Sequence, residues 1–244
     1  MGEVVIELDR VSANEGDQAR VADLSLIVRR GEAVALVGSS ASGKGLALKL
    51  CAGLGAPASG AVRLLGVDTT QASEEQVLHL RQRVGFVFVK PALISNLTVY
   101  NNVALPLRYH TVLPETEIQG RVMARLTECG VEVFREQMPA GLTMGVARLA
   151  AIARAMVMDP EILFVDEVLF GLDADELVRF RKILEHYRRQ GGLTIVATIN
   201  APTSLFRMMD RLVLLRDGRL VADCPPDKAP LVVDPMVQDF WGSQ

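Results

Sequence analysis

The stretch "GSSASGKG", residues 38–45, holds the densest chemistry in the chain. Its spacing follows G-x-x-x-x-G-K-[ST], a loop that binds phosphate by turning tightly at glycine and aiming backbone N–H groups inward. Gly38 and Gly43 supply the turns, with Ser39, Ser40, Ala41 and Ser42 between them, and Lys44 is the cation that reaches the outer phosphates. A strand-like run, "EAVALV", precedes the loop and a helical run follows it, so bound phosphate would also meet the positive end of a helix. The last position is anomalous. It calls for a hydroxyl on magnesium, and Gly45 has none.

Two further runs fit the same chemistry. "ILFVDE", residues 162–167, is a wholly apolar strand that ends in two acids. Carboxylates seldom close a buried strand without use, and in an open α/β sheet ligands sit at the carboxyl ends of strands. In that setting Asp166 binds magnesium through water and Glu167 polarises the attacking water. The plainer alternative is a pair of solvated loop acids. "GLTMGVARLAAIARAMVMDP", residues 141–160, puts Val146, Leu149, Ile152, Ala153 and Met156 on one helical stripe. Alone that predicts only a packed helix; its place just ahead of "ILFVDE" makes it informative.

The elements that must hold these residues can be read from periodicity. Runs 4–11 and 22–38 predict strands, the second turning at Arg30-Gly31 and ending in a short apolar strand. A helix is expected from Gly43 to about Leu54, then "APASG" as a loop. "AVRLLGVDT" and "RVGFVFV" predict strands, and the texture from about Lys90 to Met158 is mostly helical. "EILFVDE" and "LTIVATI" predict buried strands, with an amphipathic helix in "DADELVRFRKILEHYRRQ" between them. In "RLVLLRDGRLVA" the pair Asp217-Gly218 suits a two-residue hairpin turn. Strands alternating with helices at both ends predict an α/β fold with a largely parallel sheet.

The whole chain sets bounds on function. Its 244 residues suffice for one large α/β domain or two small ones, and 50% hydrophobic against 23% charged residues allows a sizeable core. A net charge of −3 argues against a nucleic-acid binder. The opening "MGEVVIELDR" is too charged for a secretory signal, and no apolar run reaches the ~20 residues of a spanning helix. Cys51, Cys129 and Cys224 lack metal spacing and read as reduced core thiols.

The order and spacing of these motifs resemble the ATP-binding subunit of ABC transporters. "GSSASGKG" stands at the family's first nucleotide motif, "LTMGV" at its L-S-G-G-Q signature, and "LFVDE" with "GLD" (171–173) at the second nucleotide motif and the loop after it. Within the family the chain is most similar to the ATPases of Mla/Mce-type lipid transport systems, through "PALISNLTVYNNVALPLRYHTVLP" (91–114) and "DPMVQDFWG" (234–242). The resemblance implies a single nucleotide-binding domain over 1–244, a P-loop NTPase of ABC type. Its core would be about 1–89 and 159–244, with an N-terminal antiparallel β region, and its helical subdomain about 90–158. It implies ATP and Mg2+ as ligands, an integral membrane permease as partner, and a second nucleotide-binding subunit, homo- or heterodimeric. It also implies a cytoplasmic location, peripheral on the inner face of the cell membrane. Thr143, Met144 and Gly145 would carry the signature.

The departures from the family are specific. Gly45 replaces the magnesium hydroxyl and Ala41 a loop glycine; Val89, followed by Lys90, stands where a glutamine is expected. Thr143 and Met144 replace the signature's serine and first glycine, and Ile199 the histidine that contacts the γ-phosphate. Near residue 14, "SANEGDQ" has no aromatic to stack on adenine. His79, His110 and His186 lie elsewhere. Losing one preorganised polar group typically costs ~10²–10³ in rate, so losing two would take a ~10 s⁻¹ enzyme toward ~10⁻³ s⁻¹. The expectation is an ATP-binding transport subunit with weak nucleotide binding, doubtful magnesium and impaired hydrolysis. Two alternatives stay open: an active ATPase that uses Lys90 or Asn200 instead, and a non-enzymatic scaffold or regulator of a membrane complex.

Overall fold

The computed structural model describes residues 2–16, 18–167, 172–200 and 204–231. Two sheets form its frame. The first is antiparallel, built from β1 (Val4–Glu15), β2 (Gln18–Arg29), β4 (Ser59–Leu64) and β5 (Val67–Asp68) in the order β2-β1-β4-β5. The second has six strands. These are β3 (Ala33–Val37), β6 (Val84–Val87), β7 (Ile162–Val165), β8 (Thr194–Ile199), β9 (Arg211–Arg216) and β10 (Arg219–Cys224), in the order β10-β9-β3-β8-β7-β6. Five of these strands run parallel and only β10 is antiparallel to its neighbour, which fits the expected mixed architecture.

The central strands β3, β8 and β7 are buried along their whole length because both faces are covered. Along β3, Ala33, Ala35 and Val37 enter one core while Val34 and Leu36 enter another. The first core lies under the helices α3 (Val99–His110), α4 (Glu115–Cys129), α5 (Met144–Met156) and α6 (Ala174–Gly191). The second lies between the two sheets, filled by α1 (Lys44–Cys51) with Leu8, Leu24 and Leu26.

Three local outcomes differ from the sequence expectation. Helix α1 stops at Cys51 rather than near Leu54, because Gly53 (φ 66°) closes it: Leu54 N–H donates to the Lys49 carbonyl and Gly53 N–H to that of Leu50. Ser59 and Gly60 belong to β4 and not to a loop. Helix α2 (Glu74–Gln82) is additional, opened by a capping box in which Ser73 and Gln76 satisfy each other's backbone N–H. The hairpin at Asp217-Gly218 forms as expected, with positive φ at both residues (49° and 76°).

Candidate nucleotide site

The phosphate loop connects β3 to α1, and two glycines fix its shape. A Cβ on Gly43 (φ 87°) would lie 1.9 Å from the Arg20 carbonyl oxygen, and one on Gly38 2.4 Å from that of Leu215. No larger residue fits at either position. The hairpin tip braces the loop from outside, with Gly218 N–H donating to the Ser42 carbonyl at 3.1 Å. Lys44 is buried, and its Nζ donates to the Ser39 carbonyl at 2.9 Å. Burial pulls its ammonium below the usual lysine range, against the attraction of Glu167 and Asp166. The Ser42 hydroxyl is buried without a hydrogen-bond partner. The glycine cradle, the half-engaged cation and this orphaned hydroxyl fit a polyphosphate chain.

Position 45 faces the second nucleotide motif. A Cβ there would stand 3.8 and 3.9 Å from the two carboxylate oxygens of Asp166, an ordinary contact distance. A side chain at 45 would thus point at Asp166, across the gap a metal would occupy. Asp166 itself is buried at the end of β7, and its Oδ1 accepts from Thr198 Oγ1 at 2.8 Å. One carboxylate facing a bare glycine does not make a protein-held magnesium site. Among the described residues no cluster of three metal-ligating side chains occurs.

Glu167, the next residue, is held from the same side. Its backbone sits at φ 48°, an uncommon conformation for a non-glycine residue, and its N–H donates to Thr198 Oγ1 at 2.7 Å. Its carboxylate accepts from Asn200 Nδ2 at 3.0 Å. Asn200 therefore reaches the catalytic candidate, whereas Lys90 is exposed and makes no hydrogen bond or ion pair among the described residues. Ile199 is buried in the apolar core beneath the helices.

Arg148, on α5, is the site residue that sequence reasoning missed. It is 1% exposed, and its guanidinium donates to three backbone carbonyls: Val89 and Asp166, both at 2.8 Å, and Glu167. One buried side chain thus ties the helix after the signature to the missing-glutamine position and to both acids. The available signal was an arginine set within a run of alanines and leucines, with no carboxylate at helical spacing to pair it.

The signature lies at the start of α5. Thr143 is the N-cap, its Oγ1 accepting from Val146 N–H at 3.3 Å, and Met144 is 46% exposed. Gly145 is buried against α6, where a Cβ would lie 2.0 Å from Glu176 Oε2. No hydrogen bond among the described residues joins Thr143, Met144 or Gly145 to the phosphate loop. The structure thus brings together Lys44, Gly45, Asp166 and Glu167 but leaves the signature apart from them. Gly171 of "GLD" and the segment 234–242 lie outside the described residues. His79, His110 and His186 sit on α2, α3 and α6.

The sequence profile described as "ABC transporter" matches residues 21–169. The intermembrane phospholipid transport system ATP-binding protein MlaF of Escherichia coli K12 is 30% identical, over 97% of this chain and 88% of its own length. Its namesake from Haemophilus influenzae is 29% identical, over 91% and 84%. Among solved structures, a dimeric bacterial ABC transporter cassette superposes with a TM-score of 0.85 at 26% identity, over 91% of this chain and 98% of that one. CbiO1 of Clostridium perfringens, part of an ABC transporter complex, gives 0.81 at 25% identity, over 93% and 90%.

Proposed function

Because the chain belongs to the ABC transporter family, we propose that it is the ATP-binding subunit of a phospholipid-transport complex, with its own hydrolysis impaired. The observation that carries this reading is position 45: the turn glycines Gly38 and Gly43 and the buried Lys44 are in place, yet the residue facing Asp166 is a glycine. Phosphate binding and metal-assisted hydrolysis are thereby separated. Val89 and Ile199 remove two further polar partners of the γ-phosphate and attacking water. The phospholipid assignment rests on the two MlaF relatives, which span most of their own length in the match.

No helix of the described residues is long and apolar enough to cross a membrane. A transport role therefore requires an integral membrane permease as partner, with this chain peripheral on its cytoplasmic side. A second nucleotide-binding subunit completes the assembly. The protruding Met144 side chain argues for a partner of different sequence, since in a homodimer each phosphate loop would face that side chain.

Phosphate release from the purified chain tests the reading, with Glu167→Gln as control. Turnover at background, near ~10⁻³ s⁻¹, is expected for both proteins. A rate of several per second that Glu167→Gln abolishes would establish an active ATPase instead. One contact favours that second reading: Asn200 Nδ2 donates to the Glu167 carboxylate at 3.0 Å, which puts a polar side chain on the catalytic candidate beside the isoleucine at 199.

A further inference from the structure

Arg148 is a buried cation that forms no ion pair among the described residues. It is 1% exposed, and its guanidinium spends its hydrogen bonds on the carbonyls of Val89, Asp166 and Glu167. Gripping carbonyls accounts for the donors but not for the charge. A buried charge without a contacting counter-ion is costly, and arginine cannot shed its proton to avoid that cost.

The charge stands where the nucleotide site feels it. Burial pulls the guanidinium below the usual arginine range, and the carboxylates that oppose this are Asp166 and then Glu167. The same pair, Glu167 and then Asp166, attracts the ammonium of Lys44. Lys44 and Arg148 therefore flank one pair of acids, and the two cations balance the two carboxylates before any ligand arrives. A polyphosphate drawn to Lys44 brings its negative charge up to those acids. Where a protein holds a divalent metal between them, the ion screens that repulsion. Here Gly45 offers no ligand to such an ion across from Asp166.

Resting on the nucleotide-binding reading above, we infer that Arg148 is a positioning residue whose fixed charge supplies this screening, so that the loop holds nucleotide without magnesium. Arg148 is closed off from solvent and touches no phosphate itself. It acts through Asp166 and Glu167, whose backbone it grips and whose charge it offsets. Removing a unit charge from a largely desolvated site changes the affinity for a multiply charged ligand by roughly tenfold or more.

The test is titration of the full chain with a fluorescent ATP analogue, once in EDTA and once in magnesium. The wild type is expected to bind alike in both, within about twofold. Arg148→Gln keeps donors for the carbonyls but loses the charge. It should bind roughly tenfold more weakly in EDTA, and magnesium should recover most of that loss. Arg148→Lys keeps the charge but loses the planar fork, and should stay within about threefold of wild type in EDTA. Thermal melting checks folding; where Arg148→Gln does not fold, Arg148→Lys decides, because a purely structural clamp predicts its loss to be large and equal in the two conditions. Three results overturn the inference while leaving nucleotide binding intact. These are a wild type that gains roughly tenfold from magnesium, an Arg148→Gln variant weakened equally in EDTA and magnesium, and an Arg148→Lys variant that loses roughly tenfold in EDTA. If the wild type binds no nucleotide at millimolar concentration in either condition, the inference and the nucleotide-binding reading fall together.

Discussion

A serine at position 45 would meet no obstacle, since the nearest atoms to its Cβ are the Asp166 carboxylate oxygens at 3.8 and 3.9 Å. Nothing in the backbone demands glycine there: its φ is not among the positive values, unlike those of Gly38 and Gly43. In the first turn of α1 glycine is also a poor helix former, about 0.5 kcal/mol worse than serine. Gly45→Ser is therefore expected to melt slightly higher than the wild type. It should also make nucleotide binding magnesium-dependent, with affinity in magnesium raised roughly tenfold, as befits a restored metal contact. Titration with and without magnesium checks this, and equal affinities in the two conditions would show that position 45 is not where the metal was lost. The contrast with Arg148 shows what a sequence reveals at this scale. The loop is legible because glycine geometry and a fixed spacing write it locally. Arg148 is not, because its role depends on carbonyls that lie 59, 18 and 19 residues away and carry no side-chain signature.

Among the elements, α3 and the segment before it bear on partner docking. Residues 91–107 contain no charged side chain, and from sequence alone either docking or packing under the helices accounts for that. The structure divides the stretch. Val99, Val103 and Leu107 are buried, and Leu93 packs against the same core, so a charge at Leu93 probes folding rather than docking. Asn102 fastens the segment by receiving Ile94 N–H at 2.7 Å and donating to the carbonyls of Ile94, Leu97 and Thr98. What remains outward is Ile94, Leu105 and, one turn beyond Leu105, Tyr109, which is 77% exposed. Exposed apolar groups on α3 and on the segment fastened just before it are suited to a membrane-subunit contact. Ile94→Asp and Tyr109→Asp are thus expected to leave the melting temperature within about 2 °C of wild type, as surface substitutions do, and to reduce co-purification with a co-expressed permease. Wild-type recovery of the complex with both variants would place the docking surface elsewhere. Helix α2 is the opposite case: its capping box Ser73–Gln76 is written in the sequence, but only Leu80 of the helix is buried, so it lacks the apolar stripe by which helices are usually read.

On the scale of the molecule, the parallel sheet is legible because β3 and β7 are apolar and β8 nearly so, the pattern of strands covered on both faces. How the sheets are fastened together is not, because the residues responsible are far apart in the chain. Glu161, just before β7, accepts from Arg83 Nε at 2.5 Å and from Arg30 Nη1 at 2.7 Å, and Arg30 Nε donates to Glu3 at 2.7 Å. Arg83 precedes β6, Arg30 lies in the turn from β2 to β3, and Glu3 precedes β1, so this one network joins strand ends of both sheets. The hydrogen bond from Arg83, and then the one from Arg30, holds the Glu161 carboxyl below the usual carboxylate range against the opposing effect of burial. The folded state therefore binds this proton less readily than the unfolded chain does. The stabilisation is fully present above the ordinary glutamate value of about 4.3 and is lost as pH falls through the lower folded value. Glu161→Gln removes the charge but keeps the shape, and should cost roughly 1 kcal/mol at pH 7 once solvent screening of the partly exposed network is allowed for. Urea unfolding at pH 7 and again near pH 3 makes the comparison. The gap between wild type and variant should narrow in acid. A gap that stays constant or widens there would mean that the fastening is geometric, through the backbone bonds from Glu161 N–H to Arg83 and from Thr194 N–H to Glu161, and that the charges of the network add nothing.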